Sequence, residues 1–115
     1  MEYSVSDICL TASSGSYIVE YQAEVELDSG DGDAMIEVIT TVPENADPSL
    51  FQATVASIRR GATSVLRPRG LRAHIRLHNL AIHDVDCRPP KYEAATAEAL
   101  ARALADKVQA GPTPV

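Results

Sequence analysis

Only two cysteines occur, Cys9 and Cys87, too few and too far apart for a disulfide framework. Reduced thiols and a cytoplasmic location are therefore expected. No run of about 20 apolar residues is present, which excludes a membrane-spanning helix. The opening Met1-Glu2-Tyr3-Ser4 has no basic region and no apolar stretch behind it, so no secretory signal is expected. No glycine-rich loop follows an expected strand, and neither Cys-x-x-Cys nor His-Glu-x-x-His occurs. Nucleotide binding and the familiar zinc motifs thus have no support. What is present is 115 residues, 45% apolar and 23% charged, which suits one ordered domain with a modest core.

Each half of the chain also lacks something. Residues 1–58 hold 11 Asp/Glu and no Lys or Arg, whereas residues 59–115 hold 5 Asp/Glu and all 10 Lys/Arg. The two parts carry −11 and +5, giving the net charge of −6. From Pro48 to His83 there is no acid, and this interval contains Arg59, Arg60, Arg67, Arg69, Arg72 and Arg76 with His74, His78 and His83. The global charge opposes avid, non-specific nucleic-acid binding. A local basic patch can still dock on a phosphate backbone. The alternative is that acidic strands pair with basic ones inside one sheet.

Periodicity places the elements. Tyr17 to Leu27 alternates, with Val19, Tyr21, Ala23, Val25 and Leu27 on one side and Glu20, Gln22, Glu24 and Glu26 on the other. This predicts a half-buried strand. Asp28 to Asp33 is a turn by composition, and Ala34 to Val42 reads as the return strand of a looped hairpin. Tyr3 to Leu10 adds an edge strand. Asp47 and Pro48 open a helix whose apolar stripe is Phe51, Val55, Ile58, Ala62 and Val65, with Arg59, Arg60 and Thr63 toward solvent. Pro68 and Gly70 end it. Leu71, Ala73, Ile75 and Leu77 alternate with Arg72, His74, Arg76 and His78, a second two-faced strand. Pro89 and Pro90 open an alanine-rich final helix bearing Tyr92, Leu100 and Leu104, and a loose tail follows from about residue 109. Two helices covering one face of an antiparallel or mixed sheet give an α+β fold, a two-layer sandwich.

The densest chemical cluster is His83, Asp84, Asp86 and Cys87, whose spacing matches no standard metal site. Asp84 and Asp86 read as solvated carboxylates or helix caps, and Cys87 as a buried, inert thiol. No catalytic residue, metal or cofactor is expected.

One stretch resembles a known family. Thr41-Val42-Pro43 leads into a helix with Ala56, Ile58, Gly61 and Ala62, and the strand Leu71 to Leu77 follows. Then comes Leu77-His78-Asn79-Leu80-Ala81-Ile82-His83-Asp84-Val85-Asp86 before the alanine-rich helix. Together these are similar to domain IV of translation elongation factor G and its eukaryotic and archaeal relatives, over about residues 17–108. The resemblance implies a fold like domain 2 of ribosomal protein S5, with two helices on a sheet and a left-handed crossover. It also implies that the loop holding His83 lies at the tip that enters the ribosomal decoding region in the full factor. The 115 residues contain no GTPase domain, no glycine-rich tip loop before the first strand, and no glycine-rich segment after His83.

Two functions are expected from different classes. In the first, a small non-enzymatic, translation-associated protein docks on ribosomal or other structured RNA. Arg59, Arg60, Arg67, Arg69, Arg72, Arg76, His83 and Asp84 are its contact residues. In the second, a protein-interaction or structural domain keeps the fold without RNA binding, because fold does not fix function. The sequence itself sets the discriminating observation. A basic ridge joining Arg59, Arg60, Arg67, Arg69 and the His83 loop favours RNA. Neutralisation of Arg72 and Arg76 by Glu20, Glu24 or Glu26 favours the protein reading.

Overall fold

A computed structural model describes residues 1–9, 16–83 and 87–109, the side chains of 107–109 excepted. Alternation builds the sheet. Strands β1 (Glu2–Cys9), β2 (Tyr17–Ser29), β3 (Met35–Val38), β4 (Thr41–Val42), β5 (Leu71–His78) and β6 (Leu80–Ala81) alternate with two helices, α1 (Pro48–Leu66) and α2 (Pro89–Gln109). β2 buries Val19, Tyr21, Ala23 and Val25, and β5 buries Ala73, Ile75 and Leu77. Their intervening polar residues all face the other way.

The four main strands run in the order β1-β2-β5-β3. β1 with β2 and β2 with β5 are antiparallel, while β3 lies parallel to β5. β4 and β6 pair in parallel further along the same two segments. The looped hairpin expected from Asp28 to Asp33 is therefore not formed. β5 inserts between β2 and its expected return strand. Charge favours this order. Direct pairing of β2 with β3 would set Glu24 and Glu26 near Glu37, whereas β5 presents Arg72, His74, Arg76 and His78 to both neighbours.

α1 starts where the sequence places it. Asp47 accepts a hydrogen bond from the Leu50 N–H at 2.9 Å, and Pro48 occupies the first turn. The helix tightens into a single 3-10 turn over Arg67–Arg69 and stops at Gly70, whose φ of 65° suits a residue without Cβ. α1 packs on β3 and β5, α2 packs on β1 and β2, and the helices pack on each other. The result is the expected two-layer α+β sandwich, with the second face of the sheet uncovered among the described residues.

The seam between the helices departs from the expected stripe. Phe51 and Val55 are only half-buried, and Thr63 is buried rather than solvent-facing. The buried face of α1 runs through Thr54, Ser57, Ile58, Gly61, Ala62, Val65 and Leu66. Small residues win because the helices approach closely. A Cβ built on Gly61 would fall inside contact distance of the Glu93 carbonyl oxygen and 3.2 Å from Thr96 Cβ. The buried hydroxyls are satisfied, as burial demands. Thr54 Oγ1 donates to the Leu50 carbonyl at 2.8 Å, and Thr63 Oγ1 accepts from the Ala34 N–H at 3.0 Å. Tyr21 Oη is hydrogen-bonded to Thr96 Oγ1 at 2.6 Å and to Tyr3 Oη at 2.9 Å. Tyr92 stacks on Tyr21, with ring centroids 6.4 Å apart, and its hydroxyl donates to the Ala81 carbonyl. Burial raises the Tyr3 hydroxyl to about 12 and holds Tyr21 and Tyr92 above the ordinary phenol range.

Candidate functional site

The uncovered sheet face brings into register acids and bases that the sequence keeps apart. The β2–β5 register sets Gln22 opposite His78, Glu24 opposite Arg76, Glu26 opposite His74 and Asp28 opposite Arg72. On the other flank of β5, β3 sets Glu37 opposite Arg76. The Arg76 guanidinium lies 3.3 Å from a Glu26 oxygen, 3.8 Å from Glu24 and 3.9 Å from Glu37. His74 Nε2 is 2.9 Å from Glu37 Oε1. Arg72 donates to Asp28 at 3.1 Å. That hydrogen bond first, then one from the Ser29 N–H, and then the Arg72 charge hold the Asp28 carboxyl below its ordinary value. His78 Nε2 is 3.6 Å from Glu24, beyond hydrogen-bond distance, and it has no hydrogen-bond partner among the described residues.

Asn79 breaks the β5 ladder. It adopts φ 54°, a left-handed conformation that asparagine tolerates better than most residues. Its N–H donates to Thr40 Oγ1 at 2.7 Å, and its side-chain amide donates to Gln22 at 2.8 Å. The chain then buries Leu80, Ala81 and Ile82 before His83 emerges exposed.

The remaining predicted contact residues sit elsewhere. Arg59, Arg60 and Arg67 line a groove of about 500 Å³ along the C-terminal half of α1. Arg60 is 2.6 Å from Glu93, and Arg67 is 2.8 Å from Asp33. Arg69 donates to the Val65 carbonyl at 2.6 Å. Arg59 forms no ion pair among the described residues. The structure thus brings together Arg72 and Arg76 on the sheet, and Arg59, Arg60 and Arg67 along α1. The acid-free interval is thus dispersed, with Arg69 and His83 in neither place. Asp84 lies outside the described residues, as do Val85 and Asp86. Cys87 is buried, its sulfur 3.3 Å from Thr54 Oγ1, and burial pushes the thiol up. Among the described residues no group of three His, Cys, Asp or Glu could hold a metal ion.

The alternation of Glu20 to Glu26 already signalled the acidic half of this face. Asp33 and Glu93, which hold Arg67 and Arg60, carried no such signal, because they come from a turn and from the far helix. No protein-family model matches the chain, and no curated protein matches it.

Proposed function

We propose that the chain is a non-enzymatic protein-interaction domain rather than an RNA-docking one. One observation carries this reading: Arg60, Arg67, Arg72 and Arg76 each lie within 4 Å of a carboxylate of the same chain. Breaking such exposed pairs is cheap, about 0–1 kcal/mol each. The larger obstacle is what remains behind. A phosphate backbone seated on Arg76 would also meet Glu24, Glu26 and Glu37, and like-charge contacts at an interface are strongly unfavourable. The net charge of −6 adds repulsion at longer range. The resemblance to elongation factor G domain IV is sharpest at residues 77–86, of which 77–83 are described. A protein partner can meet both signs of the face at once, which a polyphosphate cannot.

Co-sedimentation with purified ribosomes across a salt series tests the reading. The chain is expected to stay in the supernatant at every salt concentration. Pelleting at low salt that falls steeply as salt rises, and that is lost in an Arg67→Glu/Arg69→Glu variant, would establish the RNA reading instead.

A further inference from the structure

The sheet ends on one side in a strand that carries few of the usual protections against pairing. β1 is eight residues long and holds an unbroken register with β2, from Glu2 opposite Glu24 to Cys9 opposite Tyr17. Natural edge strands are commonly shortened, bulged, or supplied with lysine or proline. β3 at the other edge is short, four residues. β1 contains no lysine, no proline and no bulge, and its only charges are Glu2 and Asp7.

The bonding phase identifies the free groups. The Val25 N–H donates to the Met1 carbonyl at 2.7 Å, and the Met1 nitrogen donates back to the Val25 carbonyl at 3.0 Å. Odd-numbered residues therefore exchange bonds with β2, and Glu2, Ser4, Ser6 and Ile8 turn their N–H and C=O groups outward. All four are exposed, and among the described residues no strand pairs with this edge.

Charge selects the occupant. Glu2 stands directly opposite Glu24, an unfavourable like-charge pair, and Glu20 shares the same open face opposite Ser6. Neither Glu2 nor Glu20 forms an ion pair among the described residues. A groove of about 600 Å³ over β1, β2 and the end of β5 is lined by Glu2, Ser4, Gln22, Glu24, His78 and Asn79, which gives long side chains room to reach the two acids. A second copy of the chain would add its own Glu2, Glu20 and Asp7 at the same edge. A cationic strand would relieve the repulsion.

We propose that β1 accepts, as a fifth strand, an extended segment of a partner protein that carries lysine or arginine at alternate positions. Backbone pairing to Ser4, Ser6 and Ile8 supplies the affinity, and the alternate cations on the open face supply the selectivity. This rests on the interaction-domain reading and names its partner chemistry.

The test uses the isotope-labelled chain and two short synthetic peptides, one alternating lysine with valine and threonine, the other with glutamate in place of lysine. The lysine peptide should slow amide exchange of Ser4, Ser6 and Ile8 by about tenfold or more at saturation, and the glutamate peptide should not. Ser6→Pro removes an outward donor without touching the β2 ladder, so it should leave the thermal midpoint nearly unchanged and weaken the lysine peptide about tenfold. Glu2→Gln/Glu20→Gln should weaken it severalfold with the backbone groups intact. Protection appearing at Ile36 and Val38 of β3 would overturn the β1 assignment while leaving an interaction domain. Equal binding by Ser6→Pro, or no binding of the lysine peptide, would overturn it too. A dimer of the chain alone that Ser6→Pro abolishes would replace the basic partner with a second copy. Ribosome binding in the salt series would remove the underlying reading as well.

Discussion

The seam between α1 and α2 and the uncovered face of the sheet are both rich in polar side chains, but they use them differently. At the seam, Thr54, Ser57 and Thr96 are buried among apolar neighbours, and the two threonine hydroxyls have partners within the chain. On the sheet, Arg72, Arg76, Glu24, Glu26 and Glu37 pair while 40–67% exposed. A polar group removed from water must be bonded, and losing its partner costs the full desolvation penalty. A charge left in water loses little when its partner goes. The seam therefore carries stability, and the face is free to carry recognition.

The largest effect should come from Gly61. Gly61→Leu drives a side chain into the Glu93 carbonyl and should destabilise by roughly 3 kcal/mol or more, exceeding the gain of about 1 kcal/mol in helix propensity. Urea denaturation checks it, and a variant as stable as the parent would mean that the helices can separate without loss.

Alkaline pH acts on the same interior. Tyr3 holds its proton up to about 12 in the folded chain against 10.0 ordinarily, so its contribution is complete below pH 10 and disappears as pH rises toward 12. Tyr21 and Tyr92 are shifted in the same direction by burial. Tyrosinate absorbance should therefore rise together with cooperative loss of near-ultraviolet circular dichroism.

On the face, Arg76→Gln removes contacts to three carboxylates and should still cost only about 0–1 kcal/mol. A loss comparable to that of Gly61→Leu would erase the contrast between the regions. The smallest effect is at Asp28. Its folded carboxyl lies below the ordinary 3.8, so the Arg72 pairing adds stability above that pH and loses it as pH falls through the folded value. Carbon-detected titration of Arg72→Gln should return Asp28 toward 3.8 with a small fall in the thermal midpoint at neutral pH.

The sequence disclosed the face more fully than the seam. Strict alternation in β2 and β5 marked which residues share a side, because a period of two leaves no other assignment. The helix cap at Asp47 and the stop at Gly70 were equally legible, since both depend on local backbone needs. Strand neighbours were not legible. Adjacent strands usually pair, so β2 and β3 read as a hairpin, and only the arrival of β5 across long sequence separation changes the order. The seam was misjudged for a different reason. Hydrophobic periodicity gives weight to Phe51 and Val55 and none to Gly61 or Thr96, yet close helix contact rewards small size over apolarity. The candidate site shows the same limit: the arginines were visible as a run, but their partners on β2, β3, the turn at Asp33 and α2 become visible only in space.

The central claim is that the arginines of β5 face acids of their own chain and are thereby unavailable to phosphate. Titrating a structured RNA with the wild-type chain and with Glu24→Gln/Glu26→Gln/Glu37→Gln, which frees Arg76 of all three carboxylates, tests it most directly. No saturable binding by the wild type and a salt-sensitive association by the triple variant are expected. Wild-type binding as tight as that of the variant would contradict it.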